Sequence, residues 1–208
     1  MAAALLIDGP SDAPTTLVLA HGAGAAMDSP FMAGIAQQIA GFGHRVVRFE
    51  FPYMAARRID GRRRPPDRQP MLLDAWRAIV DGLGGSDRLV IGGKSMGGRM
   101  ASLLAAEVGV RGLVCLGYPF HPPGKPERTR VEHLSGLTVP TLVVQGTRDP
   151  FGSPSDVAGY ALSSAIEITW IDDGDHDLKP RKASGRTHAD ALDTAARAVD
   201  HFLKSRCR

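Results

Sequence analysis

Four short runs in this chain are apolar at every position: Leu17-Val18-Leu19-Ala20, Leu89-Val90-Ile91-Gly92, Gly112-Leu113-Val114-Cys115-Leu116 and Leu142-Val143-Val144. A sheet wetted on one side would show apolar and polar residues in alternation, so these strands belong to a sheet covered on both faces. Between them lie stretches with helical spacing. Ile35, Ile39 and Phe42 form one stripe, and Leu72, Leu73, Trp76, Val80 and Leu83 a second. Met100, Leu103, Leu104 and Val108 form a third, and Leu192, Ala196, Val199 and Leu203 a fourth. The alternation predicts an α/β chain of three layers, α/β/α, around a mainly parallel central sheet of six to seven strands. Residues 5–7, 45–51 and 166–171 supply the remaining strands, the first of them a short edge.

Local signals set the boundaries. Ser29-Pro30 reads as N-cap and first helical residue, and Gly41 and Gly43 end that helix. Residues 52–70, with six arginines at 57, 58, 62, 63, 64 and 68, read as a long loop. Residues 117–132, rich in proline and polar side chains, read as another. Ser153-Pro154 caps a helix expected to reach about residue 162, and Thr187 with Asp190 resembles a capping box opening the last helix. With 208 residues, 43% hydrophobic and 23% charged, and no repeat or linker, the chain reads as a single domain over residues 1–208. Right-handed crossovers then bring the loops after Ala20, Phe51, Gly92, Leu116, Val144 and Ile171 to one rim of the sheet.

Three of those rim loops carry chemistry. Gly93-Lys94-Ser95-Met96-Gly97-Gly98 follows a strand and opens a helix, the context of a nucleophile elbow. A turn that sharp brings backbone close on both sides, and Gly93 and Gly97 meet that demand. Asp149 follows the strand at 141–144, and His176 follows the last one, giving the chain order Ser95, Asp149, His176. A hydroxyl needs an adjacent base, which an imidazole supplies, and a carboxylate fixes the imidazole's tautomer. The oxyanion formed on attack needs donors, and the N–H of Met96 with that of Ala23 or Gly24 in His21-Gly22-Ala23-Gly24 are suitably placed. His21 belongs to that loop as a support, while His121 and His133 precede Asp149 and break the order.

Taken together, these motifs resemble the α/β-hydrolase superfamily, across nearly the whole chain. More narrowly the chain is similar to small, capless bacterial hydrolases distantly related to dienelactone hydrolase, a group that also resembles a subunit of a histone-acetyltransferase complex. Dienelactone hydrolase has cysteine as nucleophile where this chain has Ser95, so its substrate does not carry over. The resemblance implies a serine hydrolase with no lid domain, no cofactor and a small ester or thioester as substrate. A hydrolase fold kept as a catalytically silent interaction module is the alternative.

The remaining features are weaker signals. Arg62 and Arg63, leaving a strand end on the catalytic rim, are placed to steer an anionic substrate, and Phe120 to line an acyl pocket. The alternative for the arginines is a solvated loop, and for Phe120 a ring packed in the core. Asp173, Asp175 and Asp177 match no metal-ligand spacing, so no metal is expected. A formal net charge of +3 announces no nucleic-acid partner. Two cysteines are too few for a disulfide framework, and residues 1–10 read as neither signal peptide nor membrane span. The expectation is a cytoplasmic monomer or homodimer with no membrane partner.

Overall fold

The computed structural model describes residues 4–207. Seven strands form one sheet: β1 (Leu5–Asp8), β2 (Thr16–Ala20), β3 (Arg45–Phe49), β4 (Leu89–Lys94), β5 (Gly112–Leu116), β6 (Thr141–Gly146) and β7 (Ile166–Ile171). Their spatial order is β1-β3-β2-β4-β5-β6-β7, and every pair is parallel except β1 with β3. Six helices accompany them: α1 (Pro30–Gly41), α2 (Pro52–Asp60), α3 (Gln69–Gly82), α4 (Met96–Val108), α5 (Pro154–Val157) and α6 (His188–Arg206).

The strand alternation divides the core in two. Leu17 and Leu19 of β2 face Ile35, Ile39, Val199 and Phe202 of α1 and α6, whereas Val18 and Ala20 share a cluster with Trp76 of α3 and Met100 and Leu104 of α4. All of these side chains are buried. Successive strands leave β2 in opposite directions, to β3 on one side and β4 on the other. That reversal of winding opens a crevice beyond the carboxyl ends of β2 and β4, the place where ligands bind in open α/β sheets.

Three expectations need correction. Residues 52–60 form α2 instead of loop, because Pro52 starts a helix well, Tyr53 and Met54 are buried, and Gly61 closes it in the left-handed region at φ 69°. Arg58, exposed as expected, nevertheless donates to Glu50 (3.0 and 2.6 Å) and to Asp28 (2.9 Å). Phe51 lies outside β3 and caps α2. The helix opened by Ser153 ends at Val157, where Gly159 weakens continuation and Tyr160 stacks on Phe120 with ring centroids 5.9 Å apart.

Candidate active site

Ser95 sits between β4 and α4 with φ 50° and ψ −114°, a conformation that costs free energy and persists only where neighbours dictate it. The neighbours do. A Cβ on Gly93 would stand 2.2 Å from the Ala20 carbonyl oxygen, on Gly97 2.4 Å from the same atom, and on Gly98 2.6 Å from the Gly93 oxygen. Only glycine lets these backbones approach, and the Ser95 N–H is fixed by the Leu116 carbonyl at 3.0 Å.

The other two predicted residues converge on it. His176 Nε2 lies 2.9 Å from Ser95 Oγ, and His176 Nδ1 lies 2.8 Å from Asp149 Oδ2. Asp149 is 1% exposed, and its carboxylate also accepts from the Gln145 side-chain amide (2.9 Å) and the Phe151 N–H (2.8 Å). With the buried carboxylate accepting, Nδ1 carries the proton and Nε2 is free to accept from the serine hydroxyl. Phe151 packs its ring on the imidazole with centroids 4.2 Å apart.

The first rim loop is held from behind. His21 Nε2 accepts from the Phe51 N–H (3.1 Å), so its Nδ1 is the protonated nitrogen and donates to the Gly22 carbonyl (2.6 Å). Burial lowers the pKa of His21 and keeps it neutral. The Tyr53 hydroxyl donates to the Ala23 carbonyl at 3.0 Å. In a trans peptide the C=O and the following N–H point in opposite directions, so anchoring the oxygens of Gly22 and Ala23 turns the N–H groups of Ala23 and Gly24 the other way. Those residues line a cavity of about 590 Å³ together with Ser95, His176, Phe31 and Phe151. Met96, first residue of α4, has no intrahelical acceptor for its N–H.

Arg62, Arg63 and Phe120 do not join this group. Phe120 is fully buried between Tyr118 and Tyr160, and residues 61–68 contribute nothing to the cavity wall. The turn of α2 accounts for the arginines: it carries the chain away before Arg62, whose N–H binds Asp60 at 3.0 Å. The aspartates around His176 have separate partners, Asp173 with Arg181, Asp175 with the N–H groups of Asp177 and Lys179, and Asp177 with Lys94.

Two supporting residues went unread in the sequence, Gln145 and Lys94. Both are polar residues at or next to the carboxyl end of buried, mainly apolar strands, which is the available signal. A second serine–histidine contact also exists: Ser102 Oγ lies 2.8 Å from His133 Nε2. Ser102 is 3% exposed, its hydroxyl donates to the Arg99 carbonyl (2.7 Å), and among the described residues no carboxylate binds the other nitrogen of His133.

A seven-stranded, mostly parallel sheet sandwiched by helices, with a serine on a glycine-cleared turn at its switch point and no lid over it, is the architecture of an α/β-hydrolase. Residues 13–204 match the alpha/beta hydrolase domain family, and the chain belongs to it. Among solved structures it resembles a lidless α/β serine hydrolase from Xanthomonas campestris, at 21% identity and a TM-score of 0.69, over 96% of this chain and 87% of that one. It also resembles dienelactone hydrolase from Anabaena variabilis, at 22% identity and a TM-score of 0.75, over 98% and 92% of the two chains. The esterase domain of a Rhodothermus marinus protein matches at 15% identity and a TM-score of 0.72, over 99% and 94%. At these identities the likeness is one of fold.

Proposed function

We propose that this chain is a serine hydrolase that cleaves a small carboxylic ester or thioester through an acyl-enzyme. The observation that carries the reading is the continuous contact Ser95–His176–Asp149, at 2.9 and 2.8 Å. Ser95 Oγ attacks the acyl carbon as His176 Nε2 takes its proton, and Asp149 stabilises the imidazolium that results. The N–H groups of Met96 and of Ala23 or Gly24 receive the oxyanion, each contributing on the order of 3 kcal/mol to the transition state. His176 returns the proton to the departing alcohol or thiol. Water, deprotonated by the same imidazole, then releases the acid and restores the serine. This sequence uses no cofactor.

Among the described residues no helix is long and apolar enough to cross a membrane. Both Cys115 and Cys207 are free and buried, which fits the cytoplasmic location we propose.

A fluorophosphonate probe with p-nitrophenyl ester turnover tests the reading. Wild type should be labelled, Ser95→Ala should not be and should lose roughly 10⁴-fold or more in turnover, and Ser102→Ala should keep the label. Labelling that survives Ser95→Ala but not Ser102→Ala would transfer the chemistry to the second pair. A folded wild type that takes no label and turns over no ester would favour an interaction module instead.

A further inference from the structure

Lys94 is buried, 6% exposed, directly before the serine. Taking an ammonium out of water is costly unless its donors are met, and here they are. Nζ donates to the His176 carbonyl at 2.7 Å, stands 3.2 Å from Asp177 Oδ1, and lies 5.4 Å from the centroid of the Phe31 ring. Burial lowers the pKa of Lys94, and the carboxylates of Asp177, Asp149 and Asp175 offset only part of that.

The route of the side chain matters as much as its end. Its Cγ would be 3.5 Å from a Cβ on Gly22, so the stem lies along the first rim loop. A Cβ on Gly117, which sits at φ 66°, would fall 3.3 Å from Nζ, 2.8 Å from the His176 carbonyl oxygen and 3.4 Å from the His176 ring. Glycine at 117 leaves room for the imidazole and the ammonium together. One side chain rooted in the elbow therefore packs on the loop after β2, passes the loop after β5 and ends on the backbone of the loop after β7.

We infer that Lys94 is the positioning residue for the base: its hydrogen bond to the His176 carbonyl ties the loop carrying the imidazole to the turn carrying the hydroxyl. The inference rests on the serine-hydrolase reading for its kinetic consequence only. His176 sits on a connection between β7 and α6 that, among the described residues, otherwise hydrogen-bonds the elbow through the imidazole on Ser95, its further anchors, from Arg148 to the carbonyls of Asp173 and Gly174 (2.8 Å each), lying on the loop after β6. A displacement of about 1 Å between reacting groups can cost about 100-fold in rate, so a tether at that backbone acts on kcat.

Lys94→Met tests it, since methionine fills the space without the donor, with Lys94→Gln, one bond shorter, as a second variant should the first not fold. Three readouts are taken: p-nitrophenyl acetate kinetics, thermal melting, and amide hydrogen exchange over residues 173–178. The expected result is kcat lower by about 100-fold with KM within a few-fold. Melting should fall by about 2–4 °C at most: removing one partner of a pair is damaging where it leaves a buried charge unmet, but Asp177 is 65% exposed and returns to water. Exchange should accelerate at 173–178 and not elsewhere. Wild-type kcat and wild-type exchange would overturn the inference. So would a loss of kcat accompanied by a melting temperature lower by about 10 °C or more and faster exchange throughout, which marks a lysine that merely supports the fold. If wild type turned over no ester, the hydrolase reading would fall by itself, and exchange at 173–178 would still decide the tether: local acceleration supports it and none overturns it.

Discussion

Gln145 does for the acid what Lys94 does for the base. Its Oε1 accepts from the Tyr118 N–H at 2.7 Å, and its Nε2 reaches the Tyr118 carbonyl (3.1 Å), Asp149 Oδ2 (2.9 Å) and the Gly152 carbonyl (3.2 Å). One fully buried amide thus holds two rim loops around the carboxylate. Gln145→Leu keeps most of the volume but strands the Tyr118 N–H and an Asp149 lone pair away from water. It should lower stability by about 1–3 kcal/mol in a urea melt and slow ester turnover as well. A variant with wild-type stability and rate would show that Asp149 needs no such support. Ser95, Asp149 and His176 were legible because their order and their positions after strands are set by topology. Gln145 and Lys94 were legible only as polar residues out of place, since Tyr118, which Gln145 ties to the acid, lies 27 positions from it and the His176 carbonyl lies 82 positions from Lys94.

Among the elements, the strands and the long helices could be read from periodicity, and α2 could not. Its nine residues bury only Tyr53 and Met54, too short a stripe to show a period, and the acids that neutralise Arg58 come from Glu50, just before the helix, and from Asp28, 30 positions away. Charge runs read as solvated loops when such partners are invisible. The consequence is kinetic. Replacing Arg62, Arg63 and Arg64 together by alanine should leave KM for a carboxylate-bearing ester within about two-fold, because the segment does not line the cavity beside Ser95. A KM raised ten-fold or more would return those arginines to substrate binding. The helix after Ser153 failed in the opposite sense: its capping box is present, but a cap starts a helix and does not sustain it, and the chain turns at Gly159 to stack Tyr160 on Phe120.

At the scale of the molecule, the sheet separates the layer of α1 and α6 from the layer of α3 and α4. The three-layer architecture and the parallel sheet were legible from strands apolar on both faces, with β1 as the antiparallel edge. Leu203 belongs to the α6 layer, 3% exposed and far along the chain from any rim loop. Leu203→Ala should cost about 2–5 kcal/mol of stability while leaving kcat per folded molecule unchanged. A fall in kcat at full folding would show the two layers to be mechanically linked to the rim. The clearance around Ser95 points to a further asymmetry. It is set by Gly93, Gly97 and Gly98, while the hydroxyl itself projects into open cavity. A lineage released from selection for turnover can therefore exchange residue 95 and keep its shape, whereas drift at the three glycines erases both. Inactive descendants of such a chain should preserve the glycines long after the serine is gone.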